Sequence, residues 1–465
     1  MLDLNEEKFE ALMELLDAKK YSDFIREIDE MSPVDAAEFL EELPEKRFPI
    51  VFRLLKKDTA ADVFAELETE KQAELIAAMT DREIALILDE LFVDDAVDMI
   101  EEMPAGMVER IMKSATPATR NEINRFLSYP EDSAGSVMTS ELIDLKKDLT
   151  AAQAVERIRK IGLDKETVYV AYVTNSSRVL EGVVPLKSLL FASPDDRIEQ
   201  IMNPNVIFAS THDTKESVAH TISHYDLLAL PIVDKEKRLV GIVTVDDALD
   251  VLETETTEDI ERMAAIVPND KPYMKTSVFE TWKKRVPWLL LLMISATFTG
   301  TIITHYETAI GTYAILTAFV PMLMSTGGNA GGQASSTVIR GLSVGDIELG
   351  DVLRVLWKEL RIGLICGITL AAATFAKVML VDFRLQLETV TETGAVQNNL
   401  IIAAIIALTV CGAIVLSKLV GALLPLATKR IGLDPTVVAN PFVTTIVDTV
   451  TLIVYFSIAS AFLPI

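Results

Sequence analysis

KKRVPWLLLLMISATFTGTIIT, residues 283–304, separates two parts of the chain with different chemistry. The uncharged run from Pro287 to Thr304 is long enough to cross a hydrocarbon layer of about 30 Å at about 1.5 Å per residue. Before it, residues 1–280 contain 31 basic and 59 acidic side chains, whereas residues 281–465 contain 12 and 10. An acidic hydrophilic part therefore precedes an apolar membrane part.

Four more apolar stretches follow, near residues 312–339, 363–380, 400–427 and 439–463, so five membrane spans are predicted. Lys and Arg accumulate on the cytoplasmic side of membrane proteins. The ends assigned to that side carry Lys283, Lys284, Arg285, Arg340, Arg354, Lys358, Arg361, Lys429 and Arg430, whereas the opposite ends carry Lys377 and Arg384. The prediction is a multi-pass protein of the cell (inner) membrane, with its N-terminus in the cytoplasm and its C-terminus outside.

The last span contains an acidic residue well inside the apolar stretch. Asn440, Thr444 and Asp448 have the spacing i, i+4, i+8, which places them on one helix face. An ionised carboxylate at that depth costs about 2.5 to 3.5 kcal/mol on insertion scales, so a function is expected for it. A cation pathway is the preferred interpretation. The alternative is a structural ion pair with a basic residue of another helix, such as Lys418.

The second span contains the glycine-rich sequence TGGNAGGQ, residues 326–333. Glycine weakens a helix, and non-helical backbone within a membrane requires a protein-lined or water-filled cavity. We therefore expect irregular backbone beside a polar cavity. Close helix packing through small residues is the alternative.

The hydrophilic part contains two internal repeats. In the first 130 residues, apolar positions recur at helical spacing with a period of 24 residues, as in Leu40, Phe64 and Leu88, which predicts stacked short helices. In the second repeat, VMT at 137–139 matches IMN at 201–203, and LEGVV at 180–184 matches LVGIV at 239–243. This duplicated α/β unit resembles a tandem pair of CBS domains, which bind nucleotides or ions in other proteins.

Acidic residues are concentrated in the segment from Asp246 to Pro268, which is predicted to be a helical linker to the membrane part. Carboxylates three or four residues apart on a helix repel one another, and cations relieve that repulsion. A merely solvated acidic face is the alternative. The charge balance argues against nucleic acid as a partner, because a phosphate-binding surface needs a basic patch.

Taken in order, these parts resemble the MgtE family of magnesium transporters. The motifs that carry the resemblance are EDSAG at 131–135, GIVTVDD at 241–247, the glycine-rich sequence at 327–333, Asp434-Pro435, Asn440-Pro441 and Asp448. The implied fold is a multi-domain membrane protein with an α-helical superhelical N-terminal domain (1–130), an α/β tandem CBS pair (131–252), an acidic linker or plug helix (253–280) and a five-helix transmembrane bundle (281–465).

The resemblance also implies partners and site residues. It implies a homodimer in membrane lipid, with Asp448 of each chain facing a pore axis and with Asn440 and the Thr444 carbonyl helping to hold the ion. Cytosolic sensor sites for Mg²⁺ are implied at Asp94, Asp98, Glu216, Asp226, Asp247, Asp250, Glu255, Glu258 and Asp259, and Asp434 is implied to join the linker helix to the membrane part through such an ion. ATP at the CBS pair is a further implied ligand.

The expected function is a Mg²⁺-selective channel that imports the ion into the cytosol and closes when Mg²⁺ binds the acidic cytosolic domains. Mg²⁺ prefers six oxygen ligands and gives up water reluctantly, which suits sparse carboxylates around a hydrated ion. A broader channel for Mn²⁺ or Co²⁺ is the first alternative. An intramembrane hydrolase lacks a second buried acid for Asp448, and an anion channel does not suit that acid, so no enzyme is expected.

Overall fold

The computed structural model describes residues 6–269, 273–274, 276–306, 313–386, 388–390, 396–438 and 440–463. It divides into two compact units, Met1–Glu253 and Thr254–Ile465. We call the first the hydrophilic unit and the second the membrane unit. Each is described by itself.

In the hydrophilic unit, whose description begins at residue 6, ten short helices come first. They are α1 (Glu6–Asp17), α2 (Tyr21–Asp29), α3 (Pro33–Glu41), α4 (Phe48–Phe52), α5 (Lys57–Ala65), α6 (Thr69–Ala78), α7 (Asp81–Leu88), α8 (Val93–Glu102), α9 (Ala105–Ser114) and α10 (Pro117–Phe126). Helices α3, α5, α7 and α9 begin 24 residues apart, as the repeat predicts. Leu40, Phe64 and Leu88 are buried at equivalent positions, because each short helix covers its apolar face only by stacking on its neighbours.

Two similar α/β subdomains complete the hydrophilic unit. The first contains β1 (Ile143–Leu145), α11 (Ala151–Ile161), β2 (Val170–Thr174), β3 (Leu180–Pro185) and α12 (Leu186–Phe191). The second contains α13 (Ile198–Ile201), β4 (Ala209–Ser210), α14 (Lys215–Tyr225), β5 (Ala229–Val233) and β6 (Leu239–Thr244). In each sheet the first pair of strands is parallel and the second pair is antiparallel. The predicted duplication is confirmed.

A long helix, α15 (Val245–Met263), runs from the hydrophilic unit into the membrane unit. The membrane unit then contains α16 (Val278–His305), α17 (Val320–Ser343), α18 (Val352–Lys377), α19 (Asn399–Arg430) and α20 (Asn440–Phe462), with a short hairpin of β7 (Glu388–Val390) and β8 (Val396–Asn398). Among the described residues, four helical segments are long and apolar enough to cross a membrane: Val278–His305, Leu349–Asp382, Asn399–Arg430 and Pro441–Phe462.

The fifth long helix, α17, carries the glycine-rich sequence, and here the expectation of irregular backbone is wrong. Residues 327–333 lie inside a continuous α-helix. Their glycines are buried because neighbouring helices approach them closely: a methyl group at Gly331 would lie 3.2 Å from the carbonyl oxygen of Ser417 on α19 and 3.0 Å from Val447 on α20. The close packing of small residues, which was the alternative, is what the structure shows.

Candidate functional site

Asp448 lies in the middle of α20 and is half-buried against α17. A methyl group at Gly328 would lie 3.7 Å from Asp448 Oδ1 and 3.1 Å from Thr444 Cγ2. Thr444 donates its hydroxyl to the carbonyl oxygen of Pro441 at 2.8 Å. The structure therefore brings Thr444 and Asp448 together beside the glycines of α17. Asn440 begins α20, but its side chain lies outside the described residues.

The alternative partner proposed for Asp448 is engaged elsewhere. Lys418 on α19 is buried and its Nζ lies 3.9 Å from Oε2 of Glu359 on α18, which is also buried. Across the part of the chain that the structure describes, no Lys or Arg forms an ion pair with Asp448. A structural pair between Asp448 and Lys418 is thus not formed, and the interpretation as a cation site keeps its basis.

A second site forms in the hydrophilic unit, where α8 faces the start of α15. We define the acidic cluster by residues whose charges act on one another: Asp94, Asp95 and Asp98 of α8, Glu141 and Glu166 of the first α/β subdomain, and Asp247 and Asp250 of α15. Asp94 is buried and its Oδ1 has no hydrogen-bond partner among the described residues. A buried carboxylate oxygen without a donor is costly unless a cation or water satisfies it.

Burial, and after it the charge of neighbouring carboxylates, raises the pKa values of the acidic cluster. Burial, followed by the charge of Asp95, raises the pKa of Asp94 well above its usual range. Loss of hydration, and then the charge of Asp247, raises the pKa of Asp95 to about 6. Loss of hydration, and then the charge of Asp95, raises the pKa of Asp98 to about 7. Glu166 is raised to a pKa of about 7 by desolvation and then by Asp247. Such a cluster favours a bound cation, because these neighbouring carboxylates all add negative charge.

Other residues assigned to the sensor have structural roles of their own. Asp247 accepts hydrogen bonds from the backbone N–H and the hydroxyl of Thr244, so it also caps the first turn of α15. Its neighbour Asp250 has a pKa raised by desolvation and then by Asp246. Glu216 lies 3.7 Å from His220 on the same helix. Asp226 ends that helix in the left-handed conformation, with φ of 51°.

The remaining assigned residues lie at the junction of α15 with the membrane helices. Arg262 forms ion pairs with Glu258 on its own helix and with Asp434, 3.1 Å away, in the loop before α20. Asp259 accepts a hydrogen bond of 3.3 Å from the hydroxyl of Ser343, at the end of α17. Glu255 lies one turn earlier on α15 and is half-buried.

Sequence reasoning missed two contributors to the acidic cluster. Glu166 and Glu141 both raise the pKa of Asp94, yet neither belongs to an acidic run that would have drawn attention. Within the described residues, no three His, Cys, Asp or Glu side chains are close enough to hold a metal ion directly.

A cavity of about 580 Å³ lies between the two α/β subdomains. Its walls are mainly apolar, with Tyr169 and Tyr172 among them, and its polar groups include Lys187, Asn205 and Asp226. An apolar cavity with a few polar groups is the usual form of a small-molecule site.

Comparison with known proteins finds relatives along the whole chain. Family models match residues 31–132 (MgtE intracellular N domain), 198–254 (CBS domain) and 320–458 (divalent cation transporter). The magnesium transporter MgtE of Thermus thermophilus is 35% identical over 440 residues, which is 94% of each chain. The magnesium transporter MgtE of Bacillus subtilis is 29% identical over 453 residues, covering 97% of this chain and 96% of that relative.

A solved structure agrees with these relatives. The crystal structure of the soluble part of a magnesium transporter is 30% identical, has a TM-score of 0.52, and covers 54% of this chain and 98% of that chain. The resemblance predicted from the motifs is confirmed by relatives that match almost end to end. The chain is a multi-domain membrane protein and belongs to the MgtE family of divalent cation transporters.

Proposed function

We propose that this chain forms a Mg²⁺-selective channel that admits the ion to the cytosol and closes when Mg²⁺ binds its acidic cytosolic part. The observation that carries the conduction step is Asp448, an acid within an apolar helix, which has no ion-pair partner among the described residues. A carboxylate in a membrane helix is stable only beside water, a cation or a base. Two such side chains from a homodimer, with Asn440 and Thr444, would form an oxygen-rich path for a hydrated ion.

The acidic cluster supports the proposed closing step. Burial, and then the charge of neighbouring carboxylates, raises the pKa values of its members, so a cation bound there would stabilise their charged forms. The Oδ1 of Asp94 is buried and has no hydrogen-bond partner within the described ranges, so a bound cation or one of its waters fits there. Binding would favour the packed form of the hydrophilic unit, and a shortage of Mg²⁺ would favour its loosening.

The regulatory site can be tested by removing two of its charges. We expect Asp247→Ala combined with Asp250→Ala to raise the Mg²⁺ concentration that half-closes the channel by roughly tenfold, because the closed form loses two ligand carboxylates. Patch recordings of the full-length protein across a series of cytosolic Mg²⁺ concentrations measure this. Glu10→Ala combined with Glu45→Ala removes the same charge from exposed positions outside the acidic cluster and serves as the matched control.

Equal half-closing concentrations in the two double variants would contradict the assignment of the acidic cluster. A shift in both would indicate a general effect of net charge rather than a site.

The raised pKa values predict a pH dependence of Mg²⁺ binding. Groups whose pKa is raised in the packed form bind protons more tightly there, so protonation favours packing, and this contribution is lost as pH rises through about 6 to 7. Mg²⁺ would replace the protons at higher pH. We expect millimolar Mg²⁺ to raise the Tm of the full-length protein in detergent at a pH of about 8 and to have little effect at about 5. An equal rise in Tm at both values would contradict this.

The cavity between the α/β subdomains supports a second, regulatory ligand, and we propose ATP. Tyr169, which is 64% exposed, provides aromatic surface for a base, and Lys187 provides positive charge for phosphates. Asp226 lines the same cavity and can accept hydrogen bonds from ribose hydroxyls. This assignment places Asp226 at the nucleotide site as well as among the sensor residues.

Location and organisation follow from the same proposal. The protein would lie in the cell membrane as a homodimer, with its N-terminus in the cytoplasm, its C-terminus outside and no enzymatic activity. Its parts would be the helical N-terminal domain (1–130), the CBS pair (131–252), the linker helix (253–280) and the transmembrane domain (281–465). The half-buried carboxylates of α15, including Glu255 and Glu258, would face the sites that control closing.

A further inference from the structure

The junction between α15 and the membrane helices contains a basic residue among the carboxylates. Arg262 Nη1 lies 3.1 Å from Asp434 Oδ2, and Nη2 contacts Glu258 Oε2, so one guanidinium joins both acids. Asp434 is itself fixed, because its Oδ1 accepts a 2.8 Å hydrogen bond from the backbone N–H of Thr436. Arginine suits this role since its planar group can bind two carboxylates at once.

The three side chains are all partly shielded from water. Their exposed fractions are 33% for Arg262, 24% for Glu258 and 36% for Asp434. Isolated surface ion pairs contribute little, but a shared guanidinium with good geometry in a partly buried setting contributes more. A second contact on the same helix face, between Asp259 and the hydroxyl of Ser343, adds to the connection.

The contact between Arg262 and Asp434 matters because Asp434 lies just before α20. A short turn, Pro435–Val438, separates Asp434 from α20, the helix that carries Asp448. A side chain that holds Asp434 against α15 therefore also holds the N-terminal end of α20 close to α15. The connection uses a charge of the chain itself and requires no ion.

We propose that Arg262 is a positioning residue that ties α15 to the loop before α20 independently of Mg²⁺, and so sets how much Mg²⁺ is needed to close the channel. This inference rests on the proposed function. The guanidinium contributes part of the stability of the closed state, and Mg²⁺ bound at the acidic cluster contributes the remainder. The guanidinium of Arg262 supplies the positive charge between Glu258 and Asp434 that a cation would otherwise supply.

The test uses Arg262→Gln in the full-length protein. Without the guanidinium, Glu258 and Asp434 repel each other and the tie is lost. We expect a higher open probability at low cytosolic Mg²⁺ and a half-closing concentration raised by about three- to tenfold. Without the guanidinium, the carboxylates of Glu258 and Asp434 can share a bound Mg²⁺. The fraction of closed channels should therefore rise more steeply with Mg²⁺ concentration. Arg262→Lys keeps the charge and should lie between the variant and the wild type.

Partner variants separate the tie from other effects. Asp434→Asn should raise the open probability at low Mg²⁺ by the same factor, and the double variant with Arg262→Gln should show no further increase, because both changes break one contact. Arg354→Gln removes the same charge from an exposed side chain that pairs with Asp351 instead, and it should close as the wild type does. Independent, multiplying effects of Arg262→Gln and Asp434→Asn would overturn the proposal, as would wild-type gating of Arg262→Gln.

A readout without conduction distinguishes this inference from the proposed function. Amide hydrogen exchange of residues 254–263 in the full-length protein should be faster in Arg262→Gln than in the wild type. Unchanged exchange would overturn the tie even if the channel conducts Mg²⁺. Faster exchange in a protein that passes no Mg²⁺ would support the tie and refute the proposed function.

Discussion

Asp448→Ala is expected to reduce Mg²⁺ uptake to background, a loss of roughly ten- to hundredfold or more. The estimate follows from charged hydrogen bonds worth about 1.5 to 3 kcal/mol, one of which each subunit would lose. The side chain lies beside Gly328 of α17, with Thr444 one turn before it. No other acidic residue lies within α20 to replace it. Uptake into proteoliposomes and growth of a strain without other Mg²⁺ importers both measure the effect.

Two control variants give this result its meaning. Asp448→Asn keeps the shape and removes the charge, so it should be nearly as inactive as the alanine variant. Thr449→Ala changes the next residue, whose hydroxyl donates to the carbonyl oxygen of Thr445 within the same helix, and uptake should remain near wild type. Normal uptake by Asp448→Asn, with the protein present in the membrane, would show that the negative charge is not needed and would remove the basis of the pore assignment.

Gly421→Ala is expected to have the largest effect on stability. A methyl group at this position of α19 would lie 2.2 Å from the carbonyl oxygen of Gly331 on α17. The clash is with backbone, so the helices themselves must separate, and overpacking of this kind costs about 1 to 3 kcal/mol or more. We expect the Tm of the full-length protein in detergent to fall by about 5 to 10 °C.

Gly412→Ala is the matched control because it lies on the same helix. Its added methyl group would be 3.6 Å from Val454 Cγ1, an ordinary contact. Alanine also favours a helix over glycine by about 1 kcal/mol, so this variant should melt at or slightly above the wild-type temperature. If both variants melted at the same temperature, the close approach of α17 and α19 would not be a stabilising feature.

Periodic features of the fold were predictable from the sequence. The 24-residue repeat predicted the helices that begin at Pro33, Lys57 and Asp81, because each repeat buries the same apolar positions. The duplicated strands β3 and β6 follow from matching apolar runs. Both kinds of pattern are local, and local patterns can be read without knowing the partners.

Features that depend on partners were predicted less well. The glycines of α17 suggested broken backbone, since glycine is a poor helix former in isolation. The structure keeps the helix because α19 and α20 fill the space beside Gly327 and Gly331. The pairing of Lys418 with Glu359 rather than Asp448 depends on which helix faces which, and a single sequence does not contain that information.

The residues of the candidate site also differ in whether a local sequence pattern or only the fold reveals them. Asp448 stands out along the sequence because its surroundings are apolar. Glu166 does not, because its part in the acidic cluster arises only when the first α/β subdomain is folded against α8. Arg262 is one basic residue in an acidic segment, and only the fold places it beside Asp434.

Helix α15 has a mechanical consequence. It contains neither proline nor glycine between Val245 and Met263, so nothing in it invites a bend. Asp247 and Arg262 are about four turns apart on one stiff rod. Along the axis of this one helix, the spacing and the angular offset of the two residues are therefore fixed by the helix itself.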